Sequence, residues 1–184
     1  MVDDNYLIDK YIEGDEDSLR ILIEKYTPSI YNFSIRFVGI ENAKDTTQDV
    51  FLKVWKNIDK FKKSKASFKT WIYTIARNTI TDYLRKKKSI NFSSLDTEEE
   101  IFESNIEDKS ILQDEVFSKL EDISFLNDLL AQIPPRYREI LILYYQEDMT
   151  FKEIGEIMNK PLNTVKSYHR RALILLKEKI APKL

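Results

Sequence analysis

Only three glycines and five prolines punctuate the 184 residues, and this shortage of turn residues constrains the fold more than any other feature. A sandwich or barrel of short strands needs a turn signal every 8 to 12 residues or so, which the chain cannot supply. An all-α fold is expected instead, and the apolar residues recur at helical spacing. Within residues 45–58, Val50, Phe51, Val54, Trp55 and Ile58 share one stripe, as wide as a core-facing helix surface requires. Asp45, Gln48, Asp49, Leu52 and Lys56 share another. Residues 68–88 repeat the pattern, with Ile72, Ile75, Ala76, Thr79 and Tyr83 on one face and Thr70, Thr74, Arg77, Asn78, Thr81 and Arg85 on the other. The intervening FKKSKAS is polar and basic and reads as a loop.

The overall charge of -2 hides a segregated pattern. Residues 61–88 carry nine basic and one acidic side chains, whereas residues 89–123 carry two basic and eleven acidic. Residues 1–60 are mildly acidic and residues 124–184 mildly basic. Positive segments attract polyanions whatever the total, so this distribution points to nucleic acid as a partner. Two small helical domains are expected, at 1–88 and 120–184. The flexible acidic linker 89–119 between them is too self-repelling and too poor in apolar residues to offset its ordering entropy.

Several function classes are disfavoured from the outset. The chain has no cysteine and one histidine, which leaves no disulfide, no thiol nucleophile and no imidazole pair for zinc. Its acids sit in the linker or along helix faces rather than in a metal-binding cluster, so no catalytic residue, metal or cofactor is expected. No apolar run approaches the roughly 18 residues of a membrane span, and the N-terminus lacks the layout of a signal peptide. A cytoplasmic protein without membrane insertion is the expectation.

In the C-terminal block, Pro134 and Pro135 interrupt the helical pattern, and the next helix is expected to end near Asp148. Thr150 can cap the helix after it, with Glu153 completing a capping box. A turn over Asn159 to Leu162 contains Pro161, and Asn163 or Thr164 opens the last helix. These are the dimensions of a helix-turn-helix, in which Ile154, Ile157 and Met158 pack against Val165 and later apolar residues. On the second helix Val165, His169, Ala172 and Leu176 share the inner stripe. Asn163, Lys166, Ser167, Arg170 and Arg171 share the outer one, a set able to donate to base edges and phosphates in a major groove. His169 lies on the apolar stripe and is expected to be a packed residue, not a catalytic one.

The basic segment is also aromatic, with Phe61, Phe68, Trp71, Tyr73 and Tyr83. Unpaired nucleic acid is held by this combination, because cations follow the backbone while ring faces stack on bases. Part of the charge at Arg85 to Lys88 has a simpler account, as cations at a helix C-terminus.

DTTQDVFLKVW, FKTWIYTIARN and IPPRYREILILYYQEDMTFKEIGEIMNKPLNTVKSYHRRAL, in that order, resemble the successive signatures of the extracytoplasmic-function (ECF) sigma factors of the bacterial sigma-70 superfamily. The resemblance implies sigma region 2 at 1–88 and sigma region 4 at 120–184, acting as the specificity subunit of RNA polymerase. It implies that Asp45, Gln48, Asp49 and Leu52 meet the clamp helices of the polymerase's largest subunit, and that the flap of the second-largest subunit is a further partner surface. It gives minus-ten recognition and melting to the loop Phe61 to Phe68, with Lys62, Lys63 and Lys65, and to Arg77 and Asn78 on the following helix. Asn163, Lys166, Ser167, Arg170 and Arg171 would read the minus-thirty-five element, Tyr168 and His169 departing from the family's commoner residues. Promoter DNA and an anti-sigma factor are the other implied partners. The main rival is a conventional helix-turn-helix regulator acting without polymerase; it leaves the basic aromatic loop unexplained.

Overall fold

In the computed structural model, residues 2–88 and 129–180 are described. The acidic linker 89–119, and with it every expectation about its charge, lies outside the described residues. Among the described residues there are helices and turns and no strand.

The N-terminal helices are α1 (Asp4–Ile12), α2 (Glu16–Val38), α3 (Ile40–Asn57) and α4 (Phe68–Lys88), with a 3-10 turn at Ile58–Lys60. Local chemistry sets their limits. Asp15 caps α2 by accepting from Asp17 N at 3.2 Å and from the Ser18 hydroxyl at 2.7 Å, satisfying donors that have no intrahelical partner. Gly39 turns the chain from α2 into α3 with φ +79°, a conformation that is free only for glycine. Ser67 opens α4, its Oγ accepting from Thr70 N at 3.1 Å.

These helices bury Leu7, Ile8, Leu22, Ile30, Phe33, Val50, Val54, Ile72 and Tyr73 among themselves, each at most 3% exposed. Burying a side chain of this size contributes about 1.5 to 3 kcal/mol. The stripes need two corrections. Tyr73 is fully buried, edge-on to Phe33 at 5.3 Å, and Thr70 on the expected polar face is only 1% exposed. Trp55, expected in the core, is 54% exposed, and Phe51 is half-buried. The seam of α3 is therefore narrower than the apolar residues suggest, running through Ala43, Thr47, Val50 and Val54 and on to Ile58 in the 3-10 turn.

The C-terminal helices are α5 (Pro135–Leu141), α6 (Phe151–Met158) and α7 (Leu162–Ile180). Pro135 stands at the first position of α5, where its missing N–H costs nothing. The expected single helix to Asp148 is instead α5 followed by a π turn at Ile142–Gln146. There Glu147 N donates to the carbonyl of Ile142, five residues back, at 3.2 Å. The capping box forms as expected, with Thr150 N donating to Glu153 Oε2 at 2.9 Å and Glu153 N to Thr150 Oγ1 at 3.3 Å. α7 packs on α5 and α6, and α6 packs across the chain against α4, so both groups of helices share one hydrophobic cluster.

Candidate nucleic-acid interface

On α3, the residues expected to dock polymerase lie in solvent. Asp45, Gln48 and Asp49 are exposed, and Leu52 is 49% exposed. Trp55, 54% exposed, extends this face, giving two large apolar side chains among exposed Asp45, Gln48, Asp49 and Lys56. Apolar anchors within a polar surround are what a protein partner buries, so the departure of Trp55 from the core enlarges the surface inferred from sequence.

The basic loop is anchored and aromatic. Lys63 Nζ donates to Asn5 O at 3.1 Å and to the carboxylate of Asp9, tying the loop to α1, while Lys62 and Lys65 are exposed. Phe68 is not a loop residue. It begins α4 at 2% exposure, wedged among Tyr26, Phe61 and Trp71 at ring distances of 5.4 to 5.7 Å. Its ring therefore offers no free face for a base in this structure, and it acts as the floor beneath Phe61 and Trp71, both half-buried and 5.3 Å apart. Tyr26 is in turn held by Asp4, to which its hydroxyl donates at 2.5 Å. Burial and that carboxylate push the phenol up from its ordinary value.

Beside this aromatic group, α3 and α4 enclose a wide-mouthed concavity of about 430 Å³ lined by Lys53, Asn57, Lys60, Trp71, Ile75 and Asn78. Two rows with the same spacing, i, i+4 and i+7, face each other: 53, 57 and 60 on one side, 71, 75 and 78 on the other. Asn57 is fixed in orientation, its Nδ2 donating to Lys53 O at 2.8 Å and its Oδ1 accepting from Lys60 Nζ at 3.0 Å. An indole, an isoleucine edge, two cations and two amides can stack on a base, read its edge and neutralise its phosphate. Sequence reasoning found Trp71 and Asn78 but missed Lys53, Asn57, Lys60 and Ile75; the repeated spacing was the available signal.

Arg77 and Asn78 separate. Asn78 is exposed at the concavity, whereas Arg77, about 100° around the helix, turns away from it. Arg77 Nε lies 2.9 Å from Glu139 Oε1 of α5. Glu139 is buried, and that burial raises its carboxyl to about 7 against the pull of Arg77.

The helix-turn-helix rests on close backbone contact. A Cβ on Gly155 would meet Lys160 O at 2.9 Å, so glycine is what lets α6 touch the turn. Asn159 ends α6 in the left-handed conformation at φ +53°, and Lys160 N donates to Gly155 O at 2.9 Å. α7 starts at Leu162, slightly before the expected Asn163 or Thr164. Asn163, Lys166 and Ser167 are exposed, while Arg170 and Arg171 are half-buried. The Ser167 hydroxyl donates back to Asn163 O at 3.0 Å. Tyr168 belongs to the core at 3% exposure, edge-on to Tyr137 at 5.6 Å.

His169 is packed, as its stripe implied. It is 3% exposed, with ring centroids of Tyr144, Phe151 and Tyr145 at 4.9, 5.0 and 5.6 Å. Its Nε2 has no hydrogen-bond partner, and burial lowers its pKa to about 4. Among the described residues no group of acids, histidines or cysteines could hold a metal, and no helix is long and apolar enough to cross a membrane.

The sequence matches the Sigma-70 region 2 family over residues 22–90 and the Sigma-70, region 4 family over residues 126–176. It is 30% identical over 172 residues to the ECF RNA polymerase sigma factor SigW of Bacillus subtilis (strain 168), covering 91% of each chain. In fold it resembles CnrH, solved in complex with the cytosolic domain of CnrY, with a TM-score of 0.71 at 16% identity over 98% of this chain and 99% of that one. It also resembles the sigma factor RpoE of Bartonella quintana, solved with the anti-sigma factor NepR, with a TM-score of 0.66 at 21% identity over 88% and 96% of the two chains. With Sigma-70 region 2 and region 4 matched in succession along the chain and an ECF relative 30% identical over 91% of its length, the protein belongs to the ECF RNA polymerase sigma factors of the sigma-70 superfamily.

Proposed function

We propose that the chain binds core RNA polymerase in the cytoplasm and directs it to promoters, contributing binding energy and no catalytic chemistry of its own. Asp45, Gln48, Asp49 and Leu52, joined by Trp55, form the surface for the clamp helices of the largest subunit, and the 120–184 domain meets the flap of the second-largest. The concavity between α3 and α4 takes an unpaired base of the minus-ten element. Phe61 backs its indole wall, Lys62, Lys63 and Lys65 lie along the strand, and Phe68 acts from beneath. Flipping a base costs a few kcal/mol of stacking and pairing, and stacking on an aromatic ring restores about 1 to 3 kcal/mol. Asn163, Lys166, Ser167, Arg170 and Arg171 face the minus-thirty-five duplex.

The observation that carries this reading is the presence on one chain of a base-sized, basic, aromatic-walled concavity and a helix-turn-helix whose second helix keeps Asn163, Lys166 and Ser167 in solvent. The relative solved with an anti-sigma factor supports a partner of that kind here. Run-off transcription with purified core polymerase on a promoter pool tests the proposal. Discrete transcripts are expected only when the chain is added; duplex binding with no transcript would return the reading to a conventional regulator.

A further inference from the structure

The basic loop between α3 and α4 has little of its own to hold it in place. Residues 62–65 are exposed and Ala66 is half-buried, so apolar burial does not fix them, and a single backbone bond, Lys65 N to Lys62 O at 2.9 Å, closes the turn within them. Ordering such a segment costs conformational entropy at every residue. Among the described residues, Lys63 supplies the tie from this stretch to another helix. Its Nζ donates to Asn5 O at 3.1 Å and to the carboxylate of Asp9, 58 and 54 positions earlier in the chain.

The helix it reaches is firmly seated. Leu7 and Ile8 of α1 are 3% and 1% exposed, and Asp4 is held from α2 by Lys25 Nζ and the Tyr26 hydroxyl, each donating at 2.5 Å. The ring of the same Tyr26 meets Phe68 edge-to-face at 5.4 Å, and Phe68 is the floor beneath Phe61 and Trp71. α1 therefore stands behind both parts of the base-holding group, the floor through Asp4 and the loop through Asp9.

For electrostatics alone, Asp9 is badly placed. A carboxylate beside a basic loop lowers the positive potential that draws a strand in, and this one also occupies the Lys63 ammonium. With the Lys63 and Asp9 side chains 36% and 56% exposed, their pair adds little to overall stability. What the pair does supply is order in the loop before a strand arrives, which removes that cost from binding.

We propose that Asp9 is a positioning residue for base capture: through Lys63 it holds the loop 61–67 in the conformation that meets the unpaired strand, so that of the three loop lysines Lys63 acts on the loop and Lys62 and Lys65 face phosphate. The proposal rests on the promoter-opening function proposed above and adds to it a residue of α1, outside the loop, the concavity and the helix-turn-helix. Removing the Asp9 charge tightens strand binding if electrostatics governs and weakens base capture if positioning does.

Because the chain has no cysteine, Ser64→Cys at an exposed loop position can carry a nitroxide on the full chain, whose spectrum reads loop order without DNA. Asp9→Asn should raise nitroxide mobility. In unlabelled holoenzyme with core polymerase, it should lower the equilibrium for unstacking a 2-aminopurine placed in the minus-ten element about threefold to fivefold. Helical circular dichroism, melting temperature and affinity of the same holoenzyme for a minus-thirty-five duplex should not change, as they would if Asp9 merely supported the fold. Asp9→Lys combined with Lys63→Asp rebuilds the pair in reverse at the same net charge and should restore both readouts, whereas Lys63→Asp alone should not. Unchanged mobility in Asp9→Asn overturns the tie. Raised mobility with equal or stronger unstacking overturns the positioning role, as does a double variant no better than Lys63→Asp. Run-off transcription by the parent chain is read separately: its absence would refute the sigma reading, while the nitroxide result still decides whether α1 orders the loop.

Discussion

Replacing His169 with Phe should remove a defined part of the protein's acid sensitivity. The ordinary histidine pKa is 6.5, and burial among Tyr144, Tyr145 and Phe151 lowers it to about 4 in the folded chain. The unfolded chain therefore takes up a proton that the folded one declines. Stability is unaffected above pH 6.5 and falls as the pH drops from 6.5 toward 4. At about 1.36 kcal/mol per pKa unit, the full loss below pH 4 is roughly 3 kcal/mol, and about 2 kcal/mol of it is already reached at pH 5. For a chain of this length that corresponds to a fall of about 4 to 8 °C in melting temperature. Phe cannot be protonated, and it removes the unpartnered Nε2.

The assay is urea unfolding of both chains, followed by helical circular dichroism, at pH 8 and pH 5. Only the difference between the chains is used, because other groups titrate in the same range. Glu139 has the opposite sign: its folded pKa is raised to about 7, so its contribution is full below the unfolded value near 4.5 and is lost as the pH rises toward 7. In the comparison it cancels, as do the shared carboxylates. Overpacking by the larger ring is a constant offset at both pH values. Profiles that stay parallel within about 0.5 kcal/mol would refute a neutral, buried imidazole; a gap that narrows by about 2 kcal/mol toward Phe at pH 5 is the expected result.

Asp49→Lys with Leu52→Glu should abolish co-purification with core polymerase and leave the helical signal and melting temperature near those of the parent, since both positions are exposed; retained binding would remove α3 as the docking face. Trp71→Ala should weaken binding to a minus-ten single strand by about 1 to 3 kcal/mol and spare minus-thirty-five duplex binding, so equal losses on both probes would count against the concavity. Gly155→Ala drives a Cβ to 2.9 Å from Lys160 O and should cost about 1 to 3 kcal/mol in chemical denaturation; an unchanged midpoint would mean the turn can give way. Lys166→Ala should weaken duplex binding about equally on all sequences and reduce the salt slope by about one, whereas a change in preference at one base pair would make it a base reader.

The features legible in the sequence were those built from near neighbours. The Thr150 and Glu153 capping box, the break before Pro135 and the turn around Asn159 each involve residues within a few positions of one another, so local chemistry settled them without reference to the rest of the molecule. Apolar periodicity likewise located α3, α4, α6 and α7 and placed His169 on an inner face. Positions at the border between two stripes were decided by what other helices cover. Tyr73 became core because Phe33 and the segment around Glu147 close over it, while Trp55, equally apolar, was left in solvent because no helix among the described residues reaches it. The concavity exists only where two rows with matching spacing come together across α3 and α4. Arg77 and Asn78, adjacent in sequence and assigned one role, were sent to different faces of α4, one to a buried carboxylate and the other to the open concavity. A one-dimensional pattern records which residues share a face; the crossing of distant helices decides what that face meets.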